Sequence, residues 1–251
     1  MTVSLHQAAA SMTAHARWQE LISENLAAGA VPGFKKQDMS FSAIHAGMMA
    51  QAGVTGTGSS NAYALPKVSA YTNFAVGELK QTGVDTHVAL EGPGFFEIEM
   101  PDGSTAYTRD GEFRLNARKE LVTKHGYLVA GDGGALQMDT TNNGPISISP
   151  TGEVSQNGER KGKLKLVTFA DPRLLTPTGN GLFQAQDPRV TQTTDEKPTV
   201  REGWLESSNA NTSLEMANLI TAMRSFEASQ KVVQLHDDRL GRLISDLGNT
   251  N

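Results

Sequence analysis

Cysteine is absent from this chain of 251 residues. Its absence excludes disulfide staples, thiolate nucleophiles and Cys-ligated zinc. Long apolar runs are missing too, since no stretch approaches the roughly 20 residues of a membrane-spanning helix. Aromatics make up 6% and hydrophobic residues 38%. Any core is therefore limited, and some elements are expected to find their apolar partner in a neighbour. Positive charge is short as well: 22 basic against 27 acidic residues, a formal net charge of −5. That sign argues against non-specific nucleic-acid binding, which requires a basic face. The densest basic stretch, "ERKGKLK" from Glu159 to Lys165, reads as a hairpin turn and a solvated strand face. At the N-terminus, His6, Gln7, His15 and Arg17 interrupt any apolar core, so a cleavable signal peptide is not expected.

Catalytic signatures are equally lacking. The histidines at positions 6, 15, 45, 87, 125 and 236 are scattered, with no HExxH pair. There is no GxSxG elbow, no Walker loop and no GxGxxG between a strand and a helix. "DTTNNGPISISP" from Asp139 has the early residues of a calcium loop, but Pro150 stands where the bidentate carboxylate belongs. Arg109 and Asp110 in "YTRDG" hint at a charged site, although an Asp-Gly pair is explained as a turn. No enzyme activity, cofactor or metal is expected.

What the chain does contain is a change of period. From Ser4 to about Ala28 the pattern is that of an amphipathic helix. Leu5, Met12, Gln19 and Leu26 form one seven-spaced row, and Ala8, His15 and Ile22 form the next. "AAGAVPGF" stops it, with Gly29 and then Pro32-Gly33. The segment 41–83 is Gly/Ser-rich in part and is expected to be an extended linker. Over 84–204 the period becomes two. "FFEIEM" places Phe96, Ile98 and Met100 on one face with Glu97 and Glu99 opposite. Asp102-Gly103, Asp110-Gly111, Asn143-Gly144 and Asn157-Gly158 mark hairpins, and "GDGGAL" from Gly131 reads as a turn. Short punctuated strands without strand–helix–strand units predict an antiparallel all-β domain.

A long helix is expected from Leu205 to Leu247. Leu219, Phe226, Val233, Leu240 and Leu247 fall in a seven-spaced row, flanked by a mixed row of Met216, Met223, Gln230, Asp237 and Ile244. The fold expected is α+β: N- and C-terminal helices (1–40 plus 205–251) paired as a coiled coil around a central antiparallel all-β domain. Leftover apolar stripe on a rod-shaped element implies contacts with other copies. The expected assembly interface comprises Leu5, Met12, Ile22, Asn25 and Leu26 on the first helix. On the second it comprises Met216, Leu219, Met223, Phe226, Val233, Leu240 and Leu247.

Three segments together resemble the bacterial flagellar rod and hook family. The first, "ISENLAAGAVPGF", carries Asn25, Leu26, Ala27, Pro32, Gly33 and Phe34. The central one runs through "GPGFFEIEMPDGSTAYTRDGEF" with Gly94, Phe95, Phe96, Tyr107, Arg109, Asp110 and Gly111. The third, "GWLESSNANTSLEMANLITAMRSFEASQK", includes Leu205, Glu206 and Asn209. The chain departs from the family at Ala28, Ala30, Val31, Ala210 and Asn211. Length and "GKLKLVTFADPRLLTPTGNGLF" are most similar to the proximal-rod type, with the distal-rod type next. The resemblance implies terminal helices packed with other subunits into an axial tube and an outward β domain. Its implied partners are other copies, other rod and hook proteins and the flagellar type III export apparatus. It also implies a place in the basal-body rod within the periplasm, reached without a cleaved signal. The alternatives are a coiled-coil dimer carrying a β domain and a secreted hydrolase on a β scaffold; polymer formation distinguishes the shaft from both.

Overall fold

The computed structural model describes residues 2–48, 62–139, 144–193 and 198–248. It is an α+β chain that divides into two compact units. Unit 1 gathers 1–26, 37–71 and 212–251; unit 2 gathers 27–36 and 72–211.

Unit 1 holds two helices and a strand pair. Helix α1 spans Thr2–Ala27 and ends just before Gly29 and Pro32, where the amide of Val31 donates to the carbonyl of Ala28. Its buried face comprises Ala8, Ala14, Leu21, Ile22 and Asn25. Two strands follow in unit 1, β1 (Gln37–Met48) and β2 (Ala62–Thr72), which pair with one another. The segment 41–83, expected as an extended linker, thus supplies part of a strand pair. Trp18 of α1 meets Phe41 edge-on, ring centroids 5.7 Å apart, with His15 beside both. Asn25 closes the base: its Nδ2 donates to the carbonyl of Gln37 and its Oδ1 accepts the Gln37 amide.

Helix α2 spans Thr212–Gly248, about 55 Å at 1.5 Å per residue. It begins later than the sequence predicts, because Trp204–Glu206 is a strand. The backbone there pairs with β3 (Leu79–Gln81), and the Glu206 side chain is buried. The enclosed stripe of α2 is Glu215, Leu219, Ala222, Phe226, Ser229 and Val233. Leu219, Phe226 and Val233 belong to the expected row. Its neighbour is not the expected Met216/Met223 row but one residue upstream. The 3,4 spacing is satisfied on either side of a leucine row, and small Ala222 and Ser229 permit a closer approach than methionine.

Unit 2 is all antiparallel among the described pairings. Strand β4 (Val88–Glu91) pairs with Thr199–Glu202. At the centre of a larger sheet lies β5 (Phe95–Glu99), flanked by β6 (Thr105–Thr108), Leu128–Gly131 and Leu166–Phe169. Phe96 enters one apolar cluster with Val88, Leu90, Phe113 and Leu121. Phe95 enters a second with Tyr107, Val167, Phe169 and Phe183. Both faces of β5 are therefore covered from Phe95 to Ile98, and only Glu99 at its end is exposed. Glu97 is buried and accepts a hydrogen bond from the Lys165 ammonium at 2.7 Å. Asp102-Gly103 and Asn157-Gly158 turn hairpins as their chemistry predicts, Asn157 at φ 53° and Gly158 at φ 81°. Asp132-Gly133 turns between Leu128–Gly131 and Gly134–Ala135. Asn143 lies outside the described residues.

Candidate functional site

Three legs of chain converge within unit 2: residues 33–36, 73–78 and 206–209. Gly33 donates its amide to the carbonyl of Glu206 at 2.7 Å, Asn73 to Lys36 at 2.9 Å, and Ser207 to Glu78 at 2.8 Å. Asn209 laces all three. Its Oδ1 accepts the Lys36 amide at 2.7 Å, and its Nδ2 donates to the carbonyls of Asn73 and Ala75 at 2.8 and 3.0 Å. One acceptor and a doubly donating nitrogen are what a side-chain amide has, so aspartate lacks the donors for this position. Lys36, Asn73 and Asn209 stand close in sequence to three of the four points at which the chain passes between units, at 36/37, 71/72 and 211/212, the fourth being 26/27. The legs form a laced junction inside unit 2, the neck of that unit.

Inside the neck lies an ion cluster. The Glu206 carboxylate is 0% exposed, Lys35 1% and Arg109 5%. Lys35 Nζ stands 2.5 Å from Glu206 Oε1, which also accepts the amide of Gly77 at 2.8 Å. Arg109 Nη1 is 3.5 Å from Glu206 Oε2, and Nη2 donates to the carbonyl of Gly92 at 2.8 Å. The guanidinium lies 5.4 Å from the Phe95 ring centroid. Two cations share one anion. Burial pushes the Lys35 ammonium below its ordinary value; Glu206 opposes that shift and Arg109 adds to it. Arg109 is lowered by burial as well, against the pull of Glu206.

Asp110-Gly111 corrects another expectation. It is no hairpin turn, since β6 pairs with β5 and Leu182–Gln184 while Phe113–Leu115 pairs with Leu121–Thr123. The pair forms a buried corner between these strands. Asp110 accepts the Glu112 amide at 2.9 Å and meets Lys124 Nζ at 3.0 Å. A Cβ on Gly111 would sit 1.7 Å from the carbonyl oxygen of Val88, and one on Gly33 would sit 2.3 Å from the carbonyl carbon of Arg109. The Pro32-Gly33-Phe34 turn is thus pressed onto the Arg109-Asp110 backbone, and glycine is required at that approach.

The residues expected at an assembly interface divide differently. Ile22 and Asn25 are buried, the amide of Asn25 consumed within the chain. Met12, Leu26, Leu219, Phe226 and Val233 are half-buried. Met216, Met223 and Leu240 are exposed. The side chains of Leu5 and Leu247 lie outside the described residues. Among the signature residues, Gly33, Phe34, Arg109, Asp110, Gly111 and Asn209 meet in or beside the neck. Pro32 is half-buried in its turn, Gly94 precedes β5, and Phe95, Phe96 and Tyr107 belong to the two cores. Sequence reasoning missed Lys35 entirely and missed Glu206 as its partner. The two are 171 positions apart, and no local period marks either.

The one carboxylate of the cluster is enclosed and paired within the chain, Arg109 Nε is buried without a hydrogen-bond partner, and no described helix is long and apolar enough to cross a membrane. A laced β unit and a long helix with exposed apolar side chains define a structural subunit. Comparison with known proteins narrows this. The flagellar hook protein FlgE/F/G D1 domain matches residues 89–156, and the flagellar basal body rod FlgEFG protein C-terminal region matches 201–246. The chain is 31% identical to the flagellar basal-body rod protein FlgF of Mesorhizobium japonicum, across 99% of each chain. It is 30% identical to FlgG of Borreliella burgdorferi across 96% of this chain and 97% of that one. To FlgG of Buchnera aphidicola it is 31% identical across 89% and 91%. The chain belongs to the flagellar basal-body rod protein family and is a structural subunit of the rod.

Proposed function

We propose that this subunit assembles through its two helices into the axial drive shaft of the flagellum. In this reading the enclosed stripes of α1 and α2 face one another as a short coiled coil, and other exposed faces meet neighbouring copies. Several chain segments join the helical unit to the β unit, so torque passes through more than one covalent connection. Its partners are other copies, other rod and hook proteins, and the type III apparatus that exports it, without a cleaved signal, to the periplasmic rod. The proximal position is the first reading and the distal position the alternative, since FlgF and FlgG relatives both match nearly end to end.

The observation that carries the reading is the exposure of large apolar side chains along α2. Met216, Ile220, Met223, Val232 and Leu235 are 51%, 53%, 50%, 43% and 60% exposed. A single helix showing that much apolar surface marks an interaction site. The test is sedimentation with negative-stain microscopy. Wild-type chain is expected to form polymers. Phe226→Asp and Val233→Asp are expected to abolish them while the β unit keeps its near-ultraviolet circular dichroism. Normal polymers from both variants would remove the α1–α2 seam from assembly, and normal polymers from Met216→Asp with Leu235→Asp would remove the exposed faces of α2.

A further inference from the structure

The exposed apolar residues of α2 fall into two stripes that are not equivalent. With successive residues turned by about 100°, Met216, Ile220, Met223 and Glu227 share one face, and Ala228, Val232, Leu235 and Arg239 share another about 120° away. The enclosed stripe around Ala222 and Phe226 takes the third face. Both exposed stripes have the same spacing, and each position of the first has a counterpart twelve positions later (216→228, 220→232, 223→235, 227→239). The chemistry is complementary rather than repeated. Where the first ends in an exposed glutamate, the second ends in an exposed arginine. Val232, Leu235, His236 and Arg239 also line a shallow hollow of about 130 Å³.

We infer that α2 of one copy packs in parallel against α2 of the next, displaced by twelve residues. Met216, Ile220 and Met223 then come level with Ala228, Val232 and Leu235 of the neighbour, and Glu227 stands beside its Arg239. The axial step is about 18 Å. Met223 arrives at the hollow. An antiparallel pairing fails on charge, because it sets Met216 against Arg239 and leaves Glu227 opposite Ala228. Pairing the first stripe with its own copy in parallel stacks glutamate on glutamate. Because the two stripes occupy different faces and different halves of the helix, the contact is head-to-tail and does not close. Three half-exposed side chains fall well short of the roughly 1,000 Å² of a persistent pair, so copies join where further neighbours are already in place. This register rests on the reading of self-assembly through the helices.

The chain has no native cysteine, so introduced ones report unambiguously. Ile220→Cys with Val232→Cys in one full-length chain is treated with a short bismaleimide at concentrations where wild type sediments as polymer. Within a chain these sites lie about 18 Å apart on different faces, beyond its reach. A ladder of dimers, trimers and larger species is expected, and monomer from each single variant. Dimers from Ile220→Cys alone would show a symmetric contact and overturn the register. Polymers that sediment normally but do not cross-link would overturn it and leave shaft assembly standing. Wild-type chain that never sediments would sink the assembly reading itself. As a second arm, Glu227→Arg and Arg239→Glu are each expected to lower polymer yield about twofold to fivefold, the range of an exposed ion pair. Together they restore it; an additive loss would overturn the pairing.

Discussion

Glu206 holds the neck by charge. With its carboxylate wholly enclosed between Lys35 and Arg109, truncation leaves two buried cations without their anion. Breaking a buried pair in this way costs about 3–5 kcal/mol, mostly as the penalty of uncompensated charge. Glu206→Ala is therefore expected to lower the urea midpoint of unit 2, followed by Trp204 fluorescence in a Trp18→Phe background. An unchanged midpoint would strip the cluster of structural weight. The Lys35 shift sets a second expectation, and its sign follows from proton counting. The folded chain releases the Lys35 proton below the ordinary 10.5. Between those two pH values the unfolded chain holds more protons, so stability rises with pH. Stability measured from pH 8 upward should gain less in Lys35→Met than in wild type. Equal slopes would mean that the ammonium titrates as if in water.

Among the elements, what could be read in advance tracks how local the cause is. Asn157-Gly158 turns its hairpin by its own backbone preference, and α1 stops where Gly29 and Pro32 stop it. The row Leu219, Phe226, Val233 follows from helical period alone. The second row of α2 did not, because hydrophobicity favours Met223 and close approach favours Ala222. Trp204–Glu206 reads as helix start, yet its fate is decided by β3, more than a hundred positions earlier. Asp110-Gly111 looks like any hairpin turn, and only the partners of the flanking strands make it a corner. The Lys35–Glu206 pair was invisible for the same reason. A direct check on the α2 face follows from burial: Ala222 is 0% exposed and Met223 50%. Ala222→Leu is expected to destabilise the helical unit by about 1–3 kcal/mol through overpacking, whereas Met223→Leu leaves the monomer unchanged. Thermal melting by far-ultraviolet circular dichroism distinguishes them, and equal effects would place the wrong row inside.

At the scale of the molecule, the two units are unequal in what they bury. Among the described residues, the fully buried apolar side chains of unit 1 are Ala8, Ala14, Leu21, Ile22 and Ala222, three of them alanine. Unit 2 encloses Phe96, Phe113, Leu90, Leu121, Met138 and the aromatic cluster around Phe95. Apolar burial supplies about 25 cal/mol per Å², and an alanine face offers little area to set against the entropy of ordering a long helix. In the proposed assembly, helices so provided gain their remaining stability from neighbours, whereas the β unit has a core of its own. Amide exchange on dilute monomer is accordingly expected to show fast exchange before residue 27 and after residue 212, with slow exchange across β4, β5 and β6. In assembled polymer the helical amides become as slow as the strands. A solitary chain whose helices are protected as strongly as β5 would mean that the ends are complete alone, and a shaft made by mutual ordering would lose its driving force.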